Sequence, residues 1–307
     1  IVVLTGGVGG AKLVLGLTQI VAPEKICAIV NTGDDFRHLG LHISPDLDTL
    51  LYTLAGKANP VAGWGREGES WNFMAAVRSL GGPDWFSLGD GDLALHVLRS
   101  ARLAAGEGLA AITAAFARSW NVNVTMLPMS EDPVPTLLDT EEGLLAFQDY
   151  FVARRCAPAV RRVIFDGADR ALPGPGVIEA IEDRQTEAIL IAPSNPYLSI
   201  DPILSVPGIG TALRRATAPV VAISPIVGGA AVKGPTAKLM QELGFPVSPA
   251  VVAAHYSELI DGLLVDQRDD ASGLTLAHAQ TDTLMSTLAD RARVAEAALM
   301  LAQRLVP

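Results

Sequence analysis

The chain has 307 residues, 50% of them hydrophobic, and its 23 basic and 33 acidic residues give a net charge of −10. That length and apolar content suit one large α/β domain, and an acidic chain without a basic run excludes non-specific nucleic-acid binding, which depends on lysine and arginine. No apolar run approaches the roughly 18 residues of a membrane span and no signal peptide precedes the first predicted strand, so we expect a soluble cytoplasmic protein.

A run of glycines follows the first predicted strand. Residues 1–4 are apolar and mostly β-branched, which predicts a buried parallel strand. Glycines at positions 6, 7, 9 and 10 come next, and a helical apolar pattern that includes Lys12 continues to about residue 20. A strand that turns on glycines into a helix presents backbone N–H groups where a phosphate binds. The alternative is a tight turn that uses glycine for positive φ, although four glycines in five residues exceed what a turn needs.

The glycine run matches neither of the two common phosphate-binding patterns. In the dinucleotide pattern G-x-G-x-x-G, Lys12 takes the place of the third glycine, and in the P-loop pattern Ala11 takes the place of the second. We therefore expect a phosphate-binding loop of another class, to which Lys12 adds a positive charge.

Acidic residues follow the second predicted strand. Residues 26–30 predict a buried strand, and Asp34 and Asp35 come after it, at the sheet edge where ligands gather in α/β folds. Two adjacent acids at this place either bind a ligand, such as a ribose hydroxyl, or form an Asx turn or helix cap. The sequence leaves both possibilities open.

The next helix carries two more acidic residues. Ser44 and Pro45 are typical of an N-cap and a first helical residue. Asp46 and Asp48 fall in the first turn, where carboxylates favour the helix dipole, but they point in nearly opposite directions, so we expect one to face a cleft. Beside a phosphate-binding loop such carboxylates also suit Mg²⁺, which takes one or two carboxylates together with phosphate oxygens.

The segment from about 60 to 165 is weakly periodic and predicts an inserted cap. A glycine-rich loop with two tryptophans, one of them Trp64, either covers a flat ligand or fills a small core. Further along, His96 follows Asp92 by four residues, so the two share a helix face and can pair. A lone helical histidine is more often a packed residue than a base.

Strand–turn–helix units return in the second half. Strands predicted at 188–192 and 220–223 end in Ser194-Asn195 and in Ser224, whose hydroxyl and amide groups suit hydrogen bonds to a base, ribose or phosphate. Strands near Val247 and at 263–265, and a closing helix at about 283–305, complete the pattern.

These elements predict one three-layer, Rossmann-like α/β domain over residues 1–307, with a mainly parallel sheet and the inserted cap. The strand ends at Gly9, Asp34, Asn195 and Ser224 would then open on one edge of the sheet and form a single nucleotide cleft.

Six short motifs, in order along the chain, resemble the 2-phospho-L-lactate transferase family. Each motif is weak alone, but the set is specific because it spans the chain at sensible spacing. The motifs are Gly-Gly-Val-Gly-Gly-Ala-Lys at 6–12, Asn-Thr-Gly-Asp-Asp at 31–35, Pro-Asp-Leu-Asp-Thr at 45–49, Leu-Pro-Met-Ser at 127–130, Pro-Ser-Asn-Pro at 193–196 and Ser-Pro-Ile-Val-Gly at 224–228.

The resemblance implies a Mg²⁺-dependent transferase of coenzyme F420 biosynthesis. A family member takes a guanosine diphosphate-activated hydroxy acid, transfers the phospho-acid to the ribityl hydroxyl of the deazaflavin Fo, and releases GMP. The acid is phospholactate, phosphoenolpyruvate or phosphoglycerate, and no residue of this sequence selects among them. We also expect a homodimer.

The resemblance and the residue patterns together assign candidate site residues. Asp46 and Asp48 are expected to hold Mg²⁺ and to act in catalysis, with Asp48 orienting or deprotonating the ribityl hydroxyl. Residues expected to bind the nucleotide and its diphosphate are Gly7, Val8, Gly9, Gly10, Lys12, Asp34, Ser194, Asn195, Ser224 and Gly228. Residues expected to bind the deazaflavin are Asp48, Trp64, Ser87, Asp90 and His96.

Two other functions compete with the transferase. A non-catalytic regulatory protein that binds a nucleotide-sugar would keep the glycine loop but would not need Asp46 and Asp48 together with the Trp64 loop. An NAD(P)-dependent oxidoreductase would need the missing third glycine.

The sequence also departs from the 2-phospho-L-lactate transferase family at Ser87 and Gly91, where members of that family frequently have basic residues.

Overall fold

The computed structural model describes residues 1–60, 65–232 and 234–306. Its strands, in chain order, are β1 (Val2–Thr5), β2 (Cys27–Val30), β3 (Phe36–His38), β4 (Leu41–Ile43), β5 (Thr125–Pro128), β6 (Thr136–Thr140), β7 (Gly143–Ala146), β8 (Val160–Phe165), β9 (Ile189–Ile191), β10 (Val220–Ile223), β11 (Ile226–Val227), β12 (Ala230–Ala231), β13 (Gly262–Asp266) and β14 (Ala277–Thr281). Its α-helices are α1 (Gly7–Leu17), α2 (Pro45–Leu54), α3 (Asn72–Ser79), α4 (Asp90–Ala104), α5 (Leu109–Ser119), α6 (Val177–Glu182), α7 (Asp201–Ser205), α8 (Ile209–Arg215), α9 (Thr236–Glu242), α10 (Pro249–His255) and α11 (Leu288–Leu305).

Seven of the described strands form one sheet in which every neighbouring pair is parallel. Their order is β14-β13-β10-β9-β1-β2-β5. All four residues of β1 are buried, as expected of a parallel strand covered on both faces. In the register, Val2 lies opposite Cys27 of β2 and Ile189 of β9. The predicted α/β fold with a mainly parallel sheet is therefore confirmed.

Helices cover both faces of the sheet and make three layers. Alternate residues of β1 belong to separate hydrophobic clusters, since Val2 and Leu4 pack into one and Val3 into the other. Helices α1, α2, α5 and α11 pack on the Val3 face, and α6 to α10 pack on the opposite face. In the described ranges, no helix combines the length and the apolar character that crossing a membrane requires.

The direction of the strand order reverses between β1 and β9. From β1 the chain moves to β2 and β5 on one side, and it later returns to β9, β10, β13 and β14 on the other. The loops that follow the carboxyl ends of the strands therefore run in opposite directions on the two sides of this point. Parallel α/β sheets bind ligands in the crevice between such loops.

The segment predicted as an inserted cap contains a strand of the main sheet. β5 lies within 60–165 and pairs with β2 in parallel, with Ala28 opposite Met126. The helices α3 and α4 precede it, and β6, β7 and β8 form a separate antiparallel sheet after it. The segment is therefore not one continuous insertion.

Two further predictions differ from the structure, and one strand was not predicted. Val247 lies in the loop before α10 rather than in a strand. No sequence pattern predicts β14, because this exposed edge strand lacks an apolar run. The last helix begins at Leu288 instead of near Thr283, because Thr287 and Asp290 form a capping box at its start.

Helices α1 and α11 touch closely at Gly16. A Cβ at this position would overlap the backbone carbonyl of Arg291 in α11. We expect Gly16→Val to lower the free energy of unfolding by about 2–3 kcal/mol, because a backbone cannot move aside as a side chain can. Chemical denaturation measures the change.

A matched control is Gly273→Val, since a Cβ at Gly273 meets no atom within 4 Å. This control should change the free energy of unfolding by less than about 0.5 kcal/mol. Equal stability of the two variants would contradict the packing described for α1 and α11.

Candidate functional site

A large cleft opens at the carboxyl ends of the sheet strands. Its volume is about 920 Å³, within the usual range for small-molecule sites. The predicted strand-end residues Gly9, Asp34, Asn195 and Ser224 all line it. The parallel sheet thus brings together four segments that are far apart in the sequence.

Most of the predicted site residues line this cleft, and three do not. Those that line it are Gly7, Val8, Gly9, Lys12, Asp34, Asp46, Asp48, Ser87, His96, Ser194, Asn195 and Ser224. Gly10, Asp90 and Gly228 are not part of the lining. Trp64 lies outside the residues that the structure describes.

The glycine loop is packed tightly against the loop that follows β9. A Cβ at Gly9 would lie 2.6 Å from the carbonyl oxygen of Pro193. Ser194 connects the same two loops, since its hydroxyl donates to the carbonyl of Gly6 over 2.7 Å. Gly10 is buried in the first turn of α1, where a Cβ would overlap the side chain of Thr5. Part of the glycine requirement is therefore structural, while Gly7, Val8 and Gly9 line the cleft.

Asp46 ties the glycine loop to the start of α2. Its Oδ1 accepts a 2.7 Å hydrogen bond from the Gly7 N–H, and its Oδ2 accepts a 2.9 Å hydrogen bond from Asn31 Nδ2.

Helix α2 begins at Pro45, as predicted. The Ser44 hydroxyl, however, does not cap the helix, because it donates to Asp35 Oδ2 over 2.7 Å.

Asp34 and Asp46 form a buried acidic pair. Burial raises the pKa of Asp46, and burial together with the negative charge of Asp46 raises the pKa of Asp34. Asp34 Oδ1 is buried and has no hydrogen-bond partner. An unpartnered carboxylate oxygen beside a second buried carboxylate fits a cation ligand. Among the residues described, no cluster of three or more His, Cys, Asp or Glu side chains is arranged to hold a metal, so other oxygen ligands would have to come from substrate or water.

Asp48 has a different environment, because a buried arginine neutralises it. Arg99 of α4 donates to both carboxylate oxygens, with a 3.0 Å bond from Nη1 to Oδ2 and a second bond from Nη2 to Oδ1. The side chain of Arg99 is 2% exposed. The helical spacing of Asp92, His96 and Arg99 puts all three on one face of α4, so the pattern that predicts the pairing of His96 with Asp92 also indicates Arg99.

His96 lies between two carboxylates. Its Nε2 is 3.2 Å from Asp92 Oδ2 and its Nδ1 is 3.7 Å from Asp48 Oδ2. The predicted pairing of His96 with Asp92 is therefore confirmed. The Tyr52 hydroxyl also donates to Asp92, so one network of buried polar groups supports this wall of the cleft.

Aromatic side chains line the cleft in two places. Trp71, Trp85 and Phe86 contribute to it beside Ser87. Phe147 and Phe151 also line the cleft. Their rings stack, with 5.4 Å between the ring centroids and 13° between the ring planes. No sequence pattern indicates this pair, because Phe151 lies within a single π-helical turn (Asp149–Ala153), which has no sequence periodicity to recognise.

On the other side of the cleft, polar groups project from the ends of β9 and β10. Asn195 caps a π-helical turn through Oδ1, while its Nδ2 is buried and has no partner. Ser224 Oγ accepts a 3.2 Å hydrogen bond from the Ile226 N–H. Lys12 Nζ donates over 2.7 Å to the carbonyl of Met285, in the segment that follows β14. These groups are suited to a polar, anionic ligand.

Carboxylates outnumber cations in the lining of the cleft. The acidic side chains among the described lining residues are Asp34, Asp46, Asp48 and Asp92, and the basic ones are Lys12 and His96. A diphosphate would be repelled by this field unless a cation came with it.

Comparison with known proteins identifies the class of this protein. Residues 1–304 match the family model of the 2-phospho-L-lactate transferase CofD. A phosphoenolpyruvate transferase of Kitasatospora aureofaciens is 43% identical over 316 aligned residues, which cover 99% of this chain and 98% of the relative. A 2-phospho-L-lactate transferase of Methanosarcina mazei is 38% identical over 300 aligned residues, which cover 96% of this chain and 98% of the relative.

The fold also recurs in a solved structure. A UPF0052 family protein from Bacillus halodurans superposes with a TM-score of 0.67 at 19% identity and covers 97% of both chains. The protein is thus a transferase with a three-layer α/β fold. In particular, the chain belongs to the 2-phospho-L-lactate transferase CofD family.

Asp90 supports α3 from outside the cleft. Its carboxylate accepts hydrogen bonds from the Ser70 hydroxyl (2.6 Å) and from the N–H groups of Phe73 (3.0 Å) and Asn72 (3.1 Å). These bonds lower the pKa of Asp90 to about 2. A carboxyl group whose pKa is lowered by folding stabilises the fold above its unfolded pKa of about 4, and this stabilisation is lost as the pH falls toward 2.

We therefore expect Asp90→Ala to lower the melting temperature at pH 7, and the deficit relative to wild type should shrink as the pH falls below about 4. Thermal unfolding between pH 7 and pH 3 measures it. The exposed Asp84 provides a control, since Asp84→Ala should have little effect at any pH. A deficit for Asp90→Ala that is independent of pH would contradict the assignment.

Proposed function

We propose that this protein transfers a phospho-acid from a guanosine diphosphate-activated donor to the ribityl hydroxyl of the deazaflavin Fo, as a step of coenzyme F420 biosynthesis. The ribityl hydroxyl loses its proton to water and its oxygen forms a bond to the phosphorus that carries the acid. The bond from that phosphorus to the bridging oxygen breaks, and GMP leaves with the bridging oxygen. The main support is that one cleft combines a glycine loop, buried carboxylates and two aromatic surfaces, which suits two substrates of this kind.

For the donor we propose phosphoenolpyruvate as the acid. Relatives from Kitasatospora aureofaciens and Streptomyces coelicolor, at 43% and 42% identity, are named phosphoenolpyruvate transferase. The relative from Methanosarcina mazei that is named 2-phospho-L-lactate transferase is 38% identical. In our proposal the glycine loop and Lys12 bind the diphosphate, and Asn195 and Ser224 bind the guanosine.

We propose that Asp34 and Asp46 hold Mg²⁺. This assignment keeps Asp46 from the sequence analysis and exchanges Asp48 for Asp34, because the positive charge of Arg99 already neutralises Asp48. The unpartnered Oδ1 of Asp34 supports the exchange. When bound, Mg²⁺ would neutralise phosphate charge that the acidic cleft would otherwise repel.

Asp48 receives a positioning role toward the acceptor in this proposal. Arg99 fixes the orientation of its carboxylate, and His96 lies beside it. A carboxylate held in this way still has lone pairs with which to accept a hydrogen bond from the ribityl hydroxyl and orient it toward the phosphorus. The aromatic residues Trp71, Trp85 and Phe86 would then contact the deazaflavin ring.

A homodimer in the cytoplasm remains a prediction from the sequence.

The experiment that tests the proposal measures GMP release by the purified protein with Fo and Mg²⁺. The enolpyruvyl, lactyl and glyceryl forms of the guanosine-activated donor are supplied in turn. We expect the highest rate with the enolpyruvyl donor and no release after chelation with EDTA. Guanosine nucleotide binding without GMP release from any donor would favour the non-catalytic regulatory function instead.

Variants of Asp46 and Asp48 separate the two proposed roles. Asp46→Asn should raise the Mg²⁺ concentration for half-maximal GMP release by about tenfold or more, since a ligand is lost. Asp48→Asn should instead lower the rate about 100-fold without changing the Mg²⁺ requirement. An equal change in Mg²⁺ requirement in both variants would make Asp48 a metal ligand.

The Asp48 experiment needs a control for folding. Removing one member of a buried ion pair typically costs about 3–5 kcal/mol, because the other charge is left without its partner. The double variant Asp48→Asn, Arg99→Met removes both charges and should be more stable than Asp48→Asn alone. Its rate of GMP release should remain low if Asp48 itself orients the acceptor.

A further inference from the structure

The loop at the end of β13 holds a wall of the cleft from outside. Asp266 is the last residue of β13 and is fully buried. Its Oδ2 accepts hydrogen bonds from the N–H (2.8 Å) and the hydroxyl (3.0 Å) of Thr283. Thr283 begins the segment Thr283–Ser286, whose four residues all line the cleft. Asp266 is not itself part of the lining.

Two arginines hold the same segment from its other side. Arg268 donates to Asp266 over 3.1 Å and to Asp282 over 2.9 Å. Arg293 of α11 donates from Nε to the carbonyl of Asp282 and from Nη2 to the carbonyl of Leu284, each over 3.2 Å. The backbone of the segment is therefore fixed by charged side chains that lie outside the cleft.

The fixed backbone in turn positions Lys12. The carbonyl of Met285, within Thr283–Ser286, accepts the 2.7 Å hydrogen bond from Lys12 Nζ. A shift of this segment would move the acceptor that orients the lysine at the glycine loop.

Asp269 connects the same loop to a second wall of the cleft. Its Oδ1 accepts a 2.6 Å hydrogen bond from the N–H of Gly229, in the turn between β11 and β12. Val227 and Val232, on either side of this hairpin, line the cleft. Asp269 is 8% exposed and is not part of the lining.

We propose that the loop Asp266–Asp269 is a positioning element for the donor, which sets the separation of the hairpin and the segment Thr283–Ser286. Both walls follow strands on the β9 side of the sheet, since the hairpin comes after Ser224 at the end of β10 and the segment of residues 283–286 comes after β14. Asp48 and the aromatic residues proposed for the acceptor lie on segments from the other side. The inference rests on the proposed function, and it predicts that changes in this loop act on donor binding alone.

The test compares binding of guanosine diphosphate and of Fo by isothermal titration calorimetry in full-length variants. Asp269→Ala removes the contact to the hairpin, and Thr283→Val removes the hydroxyl that donates to Asp266. Loss of one hydrogen bond to a charged group should raise the Kd for guanosine diphosphate about tenfold. The Kd for Fo should stay within about twofold of wild type.

Two controls match these variants. Asp270→Ala makes the same chemical change at the adjacent exposed position, where the carboxylate accepts only from Ser272 among the bonds described. Thr283→Ser keeps the hydroxyl. Both should bind guanosine diphosphate as the wild type does, and melting temperatures of all variants show whether they are folded.

The outcomes distinguish this inference from the proposed function. An unchanged Kd for guanosine diphosphate in both Asp269→Ala and Thr283→Val, with normal binding by the wild type, would overturn the inference alone. An equal loss of Fo affinity would also overturn it, because general loosening of the fold would then explain the result. No binding of guanosine diphosphate by the wild type would overturn the proposed function and this inference together.

Discussion

The buried carboxylate of Asp46 holds together three of the segments from which the cleft is built. It accepts hydrogen bonds from Gly7 after β1 and from Asn31 after β2, and it lies in the first turn of α2. Each such bond to a charged group contributes about 1.5–3 kcal/mol, but taking a carboxylate out of water costs several kcal/mol. The glycine loop is therefore positioned by a charge that the surrounding protein leaves incompletely neutralised.

The acidic residues of the cleft divide into a balanced and an unbalanced group. Arg99 neutralises Asp48, whereas burial raises the pKa of both Asp34 and Asp46, the charge of Asp46 raises that of Asp34 further, and one oxygen of Asp34 has no partner. A carboxylate whose charge is neutralised by an arginine is suited to holding a fixed geometry. A pair of buried carboxylates without a cationic partner is suited to attracting a cation. This difference is the physical basis for separating the acceptor and metal roles in the proposed reaction.

Many residues that line the cleft lie in loops rather than in helices or strands, so the shape of the cleft depends on residues behind it. Backbone groups in such loops need hydrogen-bond partners from elsewhere. Asp266 and Asp269 supply them on one side of the sheet, and Asp46 supplies one on the other. In each case a carboxylate fixes a segment that is distant in sequence, which explains how short loops keep a defined geometry.

The sequence by itself determined the parallel sheet and four of the strand ends that meet at the cleft, because apolar β-branched runs followed by glycine or polar residues have local causes. It also determined the pairing of Asp92 with His96, which depends only on helical spacing. Only the tertiary structure decided that Arg99 neutralises Asp48, that Asp90 supports α3 outside the cleft, and that β14 forms an edge. These features depend on contacts between distant segments. Periodicity places Arg99 on the helix face of His96, but it does not show that Asp48 of another helix lies against that face.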